Sequence, residues 1–155
     1  MEDVVYVIDD DDAYRLYVVK LLMAIGYQTF DFKNAEEFLS CPIVDHPSCL
    51  ILEINTSDTN GFDVIEALKE RGCTIPIIIL TMTNSIPLCV QAMKAGVRDF
   101  LTKPVEPEQL INVVKDVLRR VRISTLRNEN ETFSQLNSIT YIGVFLRLVT
   151  YSHLP

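Results

Sequence analysis

The chain lacks several features that mark particular classes of protein. Its 155 residues contain no uninterrupted apolar run of the roughly 18 residues that a membrane span requires. The start, Met1-Glu2-Asp3, has neither the basic residues nor the small-residue cleavage site of a secretory signal. Lysine and arginine number 14 against 21 acidic residues, which gives a formal net charge of −7. We therefore expect a cytoplasmic protein that binds neither a membrane nor, through a basic surface, nucleic acid.

Cysteine and histidine are too sparse and too scattered to suggest a zinc site. The cysteines form no C-x-x-C pair, and the two histidines, His46 and His153, stand alone in a loop and in the tail. The four cysteines are Cys41, Cys49, Cys73 and Cys89. Reduced thiols in a cytosol fit this arrangement better than disulfides.

The chain does contain a regular alternation of short apolar runs and amphipathic segments. The runs predict strands at 4–8, 28–32, 49–53, 76–81 and 99–102. The amphipathic segments predict helices at 13–25, 35–39, 62–70, 87–95 and 108–121, with Asn34 as the cap of the second helix. Five such repeats predict a doubly wound α/β sandwich around a parallel sheet.

Polar side chains follow four of the predicted strands, at the sheet edge where such folds bind ligands. The carboxylates among them need a counter-charge, because like charges at short range raise each other's pKa. A lysine or a hard cation such as Mg²⁺ can supply that charge. The residues concerned are Asp9, Asp10, Asp11, Glu53, Thr81 and Lys103.

These residues, in this order, resemble the receiver domain of two-component response regulators over about residues 3–122. The segment 95–104, Ala-Gly-Val-Arg-Asp-Phe-Leu-Thr-Lys-Pro, is particularly similar to receivers that carry LuxR-type DNA-binding outputs. The resemblance implies the flavodoxin-like receiver fold with a five-stranded parallel sheet. It also implies a role in phosphorelay signal transduction and transcription regulation, with a histidine kinase or another signalling protein as partner.

The resemblance also assigns roles to particular residues. Asp9 and Asp10 correspond to the carboxylates that hold Mg²⁺ in receivers, and Asn55 to the residue whose backbone carbonyl completes the metal site. The positions that contact or respond to the phosphoryl group in the family are here Thr81, Phe100 and Lys103, and the family's cis proline is here Pro104.

The main departure from the family is Glu53, which stands where receivers have their phosphoacceptor aspartate. Gly61 keeps its usual distance, so the alignment does not slip, although the loop Thr56-Ser57-Asp58 differs from the Met-Pro-Gly of many members. Phosphoryl transfer depends on positioning, and a displacement of about 1 Å can lower a rate about a hundredfold. We therefore expect a phosphorylation-independent receiver with weakened Mg²⁺ binding, in which Glu53 reaches Lys103 or Thr81 directly.

Simpler interpretations of the same residues stay open. The acidic loop can cap a helix without any metal, Thr81 can simply end a strand, and Phe100 can be ordinary core packing. Asp9 and Asp11 also have the spacing found in haloacid-dehalogenase-like phosphatases. Because the segment 95–104 indicates a receiver instead, we expect a signalling protein and not an enzyme.

The sequence predicts a receiver domain at 1–122 and a linker with an apolar tail at 123–155. The tail is too short for a complete helix-turn-helix, so we interpret it as the remnant of a truncated DNA-binding output and expect no direct DNA binding. Its apolar residues suggest a homodimer formed through the tail. The resemblance implies another possible dimer interface, the face between the fourth and fifth helices that receivers commonly use. The alternative function is a truncated LuxR-type transcriptional regulator that acts by dimerisation.

Overall fold

Strands and helices alternate along the chain as predicted. The computed structural model describes residues 2–43 and 46–151. The strands are β1 (Val4–Ile8), β2 (Gln28–Phe32), β3 (Ser48–Leu52), β4 (Ile77–Thr81) and β5 (Asp99–Thr102). The helices are α1 (Asp12–Ala24), α2 (Ala35–Ser40), α3 (Gly61–Glu70), α4 (Ile86–Lys94) and α5 (Pro107–Tyr151). Apart from the end of α5, each boundary lies within one residue of the predicted one.

The five strands form one parallel sheet in the order β2-β1-β3-β4-β5. This order confirms the predicted doubly wound, flavodoxin-like α/β/α sandwich. The direction of winding changes between β1 and β3, and the carboxyl ends of these two strands therefore border the crevice where such folds bind ligands. Asp9 directly follows β1, and Glu53 directly follows β3.

Each face of the sheet packs against its own set of helices. Alternate residues of the strands point to opposite faces, so Tyr6 and Val7 belong to different clusters of the core. Tyr6 contacts the cluster that includes Phe38 of α2, whereas Val7 belongs with Leu22 of α1 and Leu110 of α5. The three central strands, β1, β3 and β4, are buried along their whole length, which explains why their sequences are nearly continuous apolar runs and not alternating ones.

The loop between β3 and α3 is fixed by a close backbone approach. The Gly61 N–H donates to the Ile54 carbonyl at 2.7 Å. A Cβ atom at position 61 would lie only 2.7 Å from the Ile54 Cα, so this contact requires glycine. Asn60 caps α3 through its side chain, which accepts the Phe62 N–H at 3.0 Å. The residues that follow Glu53 are therefore held in a defined path.

The last helix is longer than predicted. We expected it to end near Val121, but α5 continues to Tyr151. The prediction was wrong because the segment treated as a linker contains no proline before Pro155 and only one glycine, Gly143, so nothing in it interrupts a helix. The domain boundary after residue 122 stays a prediction.

By its internal contacts the chain divides into two units, Met1–Arg119 and Arg120–Pro155. In the second unit, six large apolar side chains are 50–66% exposed: Ile123, Leu126, Phe133, Leu136, Ile139 and Ile142. Residues 152–155 of the predicted tail, including His153, lie outside the described residues. Among the helices that the structure describes, none contains an apolar stretch of the length needed to cross a bilayer.

Candidate functional site

The register of the sheet brings two acidic side chains together. Ile8 pairs with Leu52 in the ladder between β1 and β3, so Asp9 and Glu53 each follow a paired residue. The Glu53 N–H donates to the Ile8 carbonyl at 2.9 Å, which extends the ladder by one bond. Both acidic residues are buried. Backbone pairing alone therefore places two carboxylates at the same level of the sheet edge.

The ladder between β4 and β5 places the lysine at the same edge. Thr81 pairs with Thr102, and the N–H of Lys103 donates to the Thr81 carbonyl at 2.8 Å. The peptide bond between Lys103 and Pro104 is cis, as the resemblance to receivers implies. Lys103 is buried, although a lysine is rarely found inside a protein unless its charge is paired.

Lys103 lies between the two carboxylates. Its ammonium nitrogen Nζ is 2.6 Å from Asp9 Oδ2 and 3.0 Å from Glu53 Oε2. The three side chains are only 3–5% exposed. Because each charge has lost nearly all of its contact with water, removing one of them would leave its partners uncompensated. The expectation that Glu53 reaches Lys103 directly is confirmed.

The surroundings of this ion-pair cluster shift two pKa values. Burial by itself lowers the pKa of Lys103, but the hydrogen bonds with Asp9 and Glu53 outweigh burial and hold that pKa above its ordinary value. Burial raises the pKa of Asp9, and its hydrogen bonds with Lys103 and the Asp11 N–H offset this only in part. With two carboxylates around one ammonium, Lys103 stays charged while ionisation of Asp9 is disfavoured.

Backbone N–H groups bind the remaining carboxylate oxygens. Asp9 Oδ1 accepts the Asp11 N–H at 2.9 Å, and Glu53 Oε1 accepts the Asn55 N–H at 3.0 Å. Asp10 points to the loop after β3, where its Oδ2 accepts the Ser57 N–H at 2.8 Å. That hydrogen bond lowers the pKa of Asp10. Each of the three acidic side chains is thus held by the protein itself.

Asp9 and Asp10, which the resemblance assigns to Mg²⁺, already have partners within the protein, and the magnesium site stays a prediction. Among the residues that the structure describes, no three aspartate, glutamate, histidine or cysteine side chains converge so that they could hold a metal ion. Mg²⁺ requires oxygen ligands in a nearly ideal octahedron, with several positions left for water. Asp9 and Glu53 both contact the ammonium group of Lys103.

The predicted switch residues, Thr81 and Phe100, contact groups outside the ion-pair cluster of Asp9, Glu53 and Lys103. Thr81 is fully buried, and its hydroxyl accepts the Thr83 N–H at 3.3 Å. The Thr83 hydroxyl in turn accepts a hydrogen bond from the Asn55 side chain at 2.8 Å, which joins the loops after β3 and β4. Phe100 is partly buried and packs against the hydrophobic core on the α2 side of the sheet, as the interpretation of Phe100 as ordinary core packing expects. The switching roles of Thr81 and Phe100 stay predictions.

The acidic loop also has a purely structural function, as one of the simpler interpretations expects. Asp11 caps α1, because its Oδ1 accepts the N–H groups of Ala13 and Tyr14, each at 3.1 Å. Asp9 is bound by Lys103, at 2.6 Å from its Nζ. The phosphatase interpretation of Asp9 and Asp11 stays a prediction that these contacts do not decide.

Tyr14 belongs to the site although the sequence analysis did not identify it. Lys103 Nζ lies 4.6 Å from the centre of the Tyr14 ring, and the Tyr14 hydroxyl accepts the Val105 N–H at 3.1 Å. The only signal in the sequence was an aromatic residue in the first turn of the helix that follows Asp9. Such a position is usually explained by packing against the core.

Comparison with known proteins identifies the same family. The model of the response regulator receiver domain matches residues 5–115. The response regulator protein TodT of Pseudomonas putida is 34% identical over 140 residues, which cover 85% of this chain and 62% of TodT. The transcriptional regulatory protein FixJ of Azorhizobium caulinodans is 33% identical over 116 residues, which cover 75% of this chain and 55% of FixJ.

Solved structures give the same result. The response regulator StyR is 30% identical with a TM-score of 0.76, and the match covers 91% of this chain and 70% of StyR. The chain therefore spans less than two thirds of the length of its relatives TodT and FixJ, and somewhat more of StyR. Sheet order, polar strand ends and these similarities agree: the chain belongs to the response regulator receiver domain family of two-component signalling.

Proposed function

We propose that this receiver works without phosphorylation, and that Glu53 takes the place of both the acceptor and part of the charge that a phosphoryl group would bring. The observation that carries the proposal is the 3.0 Å contact between Glu53 Oε2 and Lys103 Nζ. Glutamate projects its carboxylate one carbon further than aspartate does. Its negative charge therefore lies closer to the lysine that, by the resemblance, contacts the phosphoryl group.

The other oxygen of Glu53 supports the same proposal. Oε1 accepts the Asn55 N–H, so both carboxylate oxygens are engaged within the protein. An attacking oxygen needs an in-line approach to the phosphorus atom, and a displacement of about 1 Å can lower the rate about a hundredfold. Glu53 would have to leave two partners before it could attack, which makes it a poor phosphoacceptor.

The proposal includes only weak binding of Mg²⁺ by this receiver. The oxygen donors that the resemblance assigns to the metal, Asp9, Asp10 and the Asn55 carbonyl, are present in the chain. In this receiver, however, Asp9 is bonded to Lys103 and Asp10 to the Ser57 N–H. A metal would have to compete with these contacts, and with the positive charge of the buried lysine.

Beryllofluoride, which imitates a phosphoryl group on an aspartate, tests the proposal. Amide NMR spectra of the native chain should stay unchanged when beryllofluoride and Mg²⁺ are added. The Glu53→Asp variant, the matched control, should show shifts at Thr81 and Lys103. Equal shifts in the native chain would contradict the proposal, because they would show that Glu53 accepts the phosphoryl analogue.

A second proposal is that the signal leaves through self-association. Large apolar side chains of α4, Ile86, Val90 and Met93, are 46–79% exposed, and they lie four and three residues apart on one side of the helix. The second unit exposes six more. We propose a homodimer through the tail or through the face between α4 and α5, with a histidine kinase or another signalling protein as the input partner. Direct DNA binding by this chain is not part of the proposal.

A further inference from the structure

We propose that Tyr14 is a positioning residue for the site, because its ring holds the Lys103 ammonium between Asp9 and Glu53 while its hydroxyl fixes the backbone that follows Pro104. The inference rests on the proposed function in one respect, namely that the ion-pair cluster is the working state of this receiver. The contacts that carry it are independent of the chemistry at position 53.

The first contact is between the ring and the ammonium group. Lys103 Nζ lies 4.6 Å from the centre of the Tyr14 ring, within the range of a cation–π interaction. The negative face of the ring stabilises the cation without adding a full charge. Since Asp9 and Glu53 bind the same nitrogen at 2.6 and 3.0 Å, the ring completes the surroundings of the ammonium group with a third attractive partner.

The second contact joins Tyr14 to the backbone beyond the lysine. The Tyr14 hydroxyl accepts the Val105 N–H at 3.1 Å. Val105 stands two residues after Lys103, so Tyr14 holds both the head of the lysine side chain and the chain that follows it. One side chain of α1 thereby contacts the segment that follows β5 at two points.

Tyr14 is itself held in place from two sides. Its N–H donates to the capping carboxylate of Asp11, at 3.1 Å, so the residue is fixed relative to the acidic loop. Its ring meets the Tyr17 ring edge-on at a centroid distance of 5.6 Å. The two rings also line a surface cavity of about 380 Å³ together with Asp11, Ala13, Pro104 and Val105. Tyr14 therefore lies between the buried cluster and a surface that solvent reaches.

Proton NMR of Lys103 tests this role directly. The ring current of Tyr14 should shift the ε-methylene protons of Lys103 upfield in the native chain. Tyr14→Phe keeps the ring and should keep the shift, whereas Tyr14→Leu should lose it and should speed the exchange of the Lys103 ammonium protons with water several-fold. Phe133→Leu, the loss of an aromatic ring at an exposed position of the second unit, is the control and should leave the Lys103 signals in place.

Three results would overturn the proposal. If Tyr14→Leu keeps the native Lys103 signals, the ring has no positioning role; if Tyr14→Phe loses them as well, the hydroxyl and not the ring is responsible. Should Tyr14→Leu fail to fold, the native chain still decides, because an absent upfield shift refutes the ring contact. None of these signals requires phosphorylation, so failure here is distinct from the appearance of phosphorylated Glu53, which would refute the proposed function alone.

Discussion

Glu53 and Lys103 form an ion pair 3.0 Å long at the carboxyl edge of the sheet, with both side chains almost completely removed from water. The two residues are fifty positions apart in the sequence, and separate strand ladders place them there. In a receiver with aspartate at position 53, the carboxylate would stand one carbon further from the lysine. The extra carbon of Glu53 therefore brings its carboxylate closer to the lysine, while the receiver fold that positions both residues is kept.

Removal of the buried cation should destabilise the fold strongly. Lys103→Met leaves Asp9 and Glu53 buried without a counter-charge, and we expect a loss of about 3–5 kcal/mol in the free energy of unfolding, measured by urea denaturation. Lys94→Met, at an exposed position, is the control and should change little. Adding Glu53→Gln to Lys103→Met should recover part of the loss. A Lys103→Met chain as stable as the native one would show that the cluster does not stabilise the fold.

Stability should also fall in alkaline solution because of Lys103. Its pKa is raised in the folded chain, so its contribution is fully present below the ordinary value of 10.5 and is lost as the pH rises through the higher folded pKa. Unfolding free energies measured on both sides of that window should therefore decline more steeply for the native chain than for Lys103→Met. Parallel curves for the two proteins would refute this assignment.

The four thiols should differ in reactivity. Burial raises the pKa of the Cys49 thiol to about 12, and the charge of Asp3 adds to the effect, whereas Cys41, Cys73 and Cys89 are only partly buried. Brief alkylation at mildly alkaline pH should therefore modify the three partly buried cysteines and leave Cys49 until the chain is unfolded. Peptide mass mapping reads this out. Early modification of Cys49 in the folded chain would contradict its burial.

Self-association through the tail predicts a mutation that separates the subunits. Phe133 is 66% exposed in the single chain, and the proposed dimer would bury it. Phe133→Glu should therefore shift the native dimer to monomer in sedimentation velocity, because the interface would have to bury a charge. Thr132→Glu, at the neighbouring exposed position, brings the same charge and should leave the dimer intact. If the native chain and both variants sediment as monomers, the tail does not drive dimerisation.

Most of the fold followed from local patterns in the sequence. Continuous apolar runs such as 77–81 identified the strands, and the acids and the lysine after them located the sheet edge of the site. The contact between Glu53 and Lys103 was also within reach, because the carboxyl ends of parallel strands meet at one edge.

Other parts of the site depend on three-dimensional geometry that no local pattern carries. The ring of Tyr14 contacts the ammonium group of Lys103, 89 positions away, and no motif or periodic pattern in the sequence links the two residues. The bond from the Asn55 side chain to Thr83 likewise joins two loops whose paths are set by packing. The end of α5 differs from the prediction for another reason: the segment after Val121 is only weakly amphipathic, so its apolar pattern does not mark it as a helix, although it has few helix-breaking residues.

Intact-mass spectrometry after incubation with acetyl phosphate and Mg²⁺ tests the central claim most directly, that Glu53 removes phosphorylation from an otherwise receiver-like site. We predict that the native chain and Glu53→Gln gain no mass, whereas Glu53→Asp gains one phosphoryl group, at a rate at least about a hundredfold above any labelling of the native chain. A native chain that gains a phosphoryl group on Glu53 as fast as Glu53→Asp gains one on its aspartate would contradict the claim.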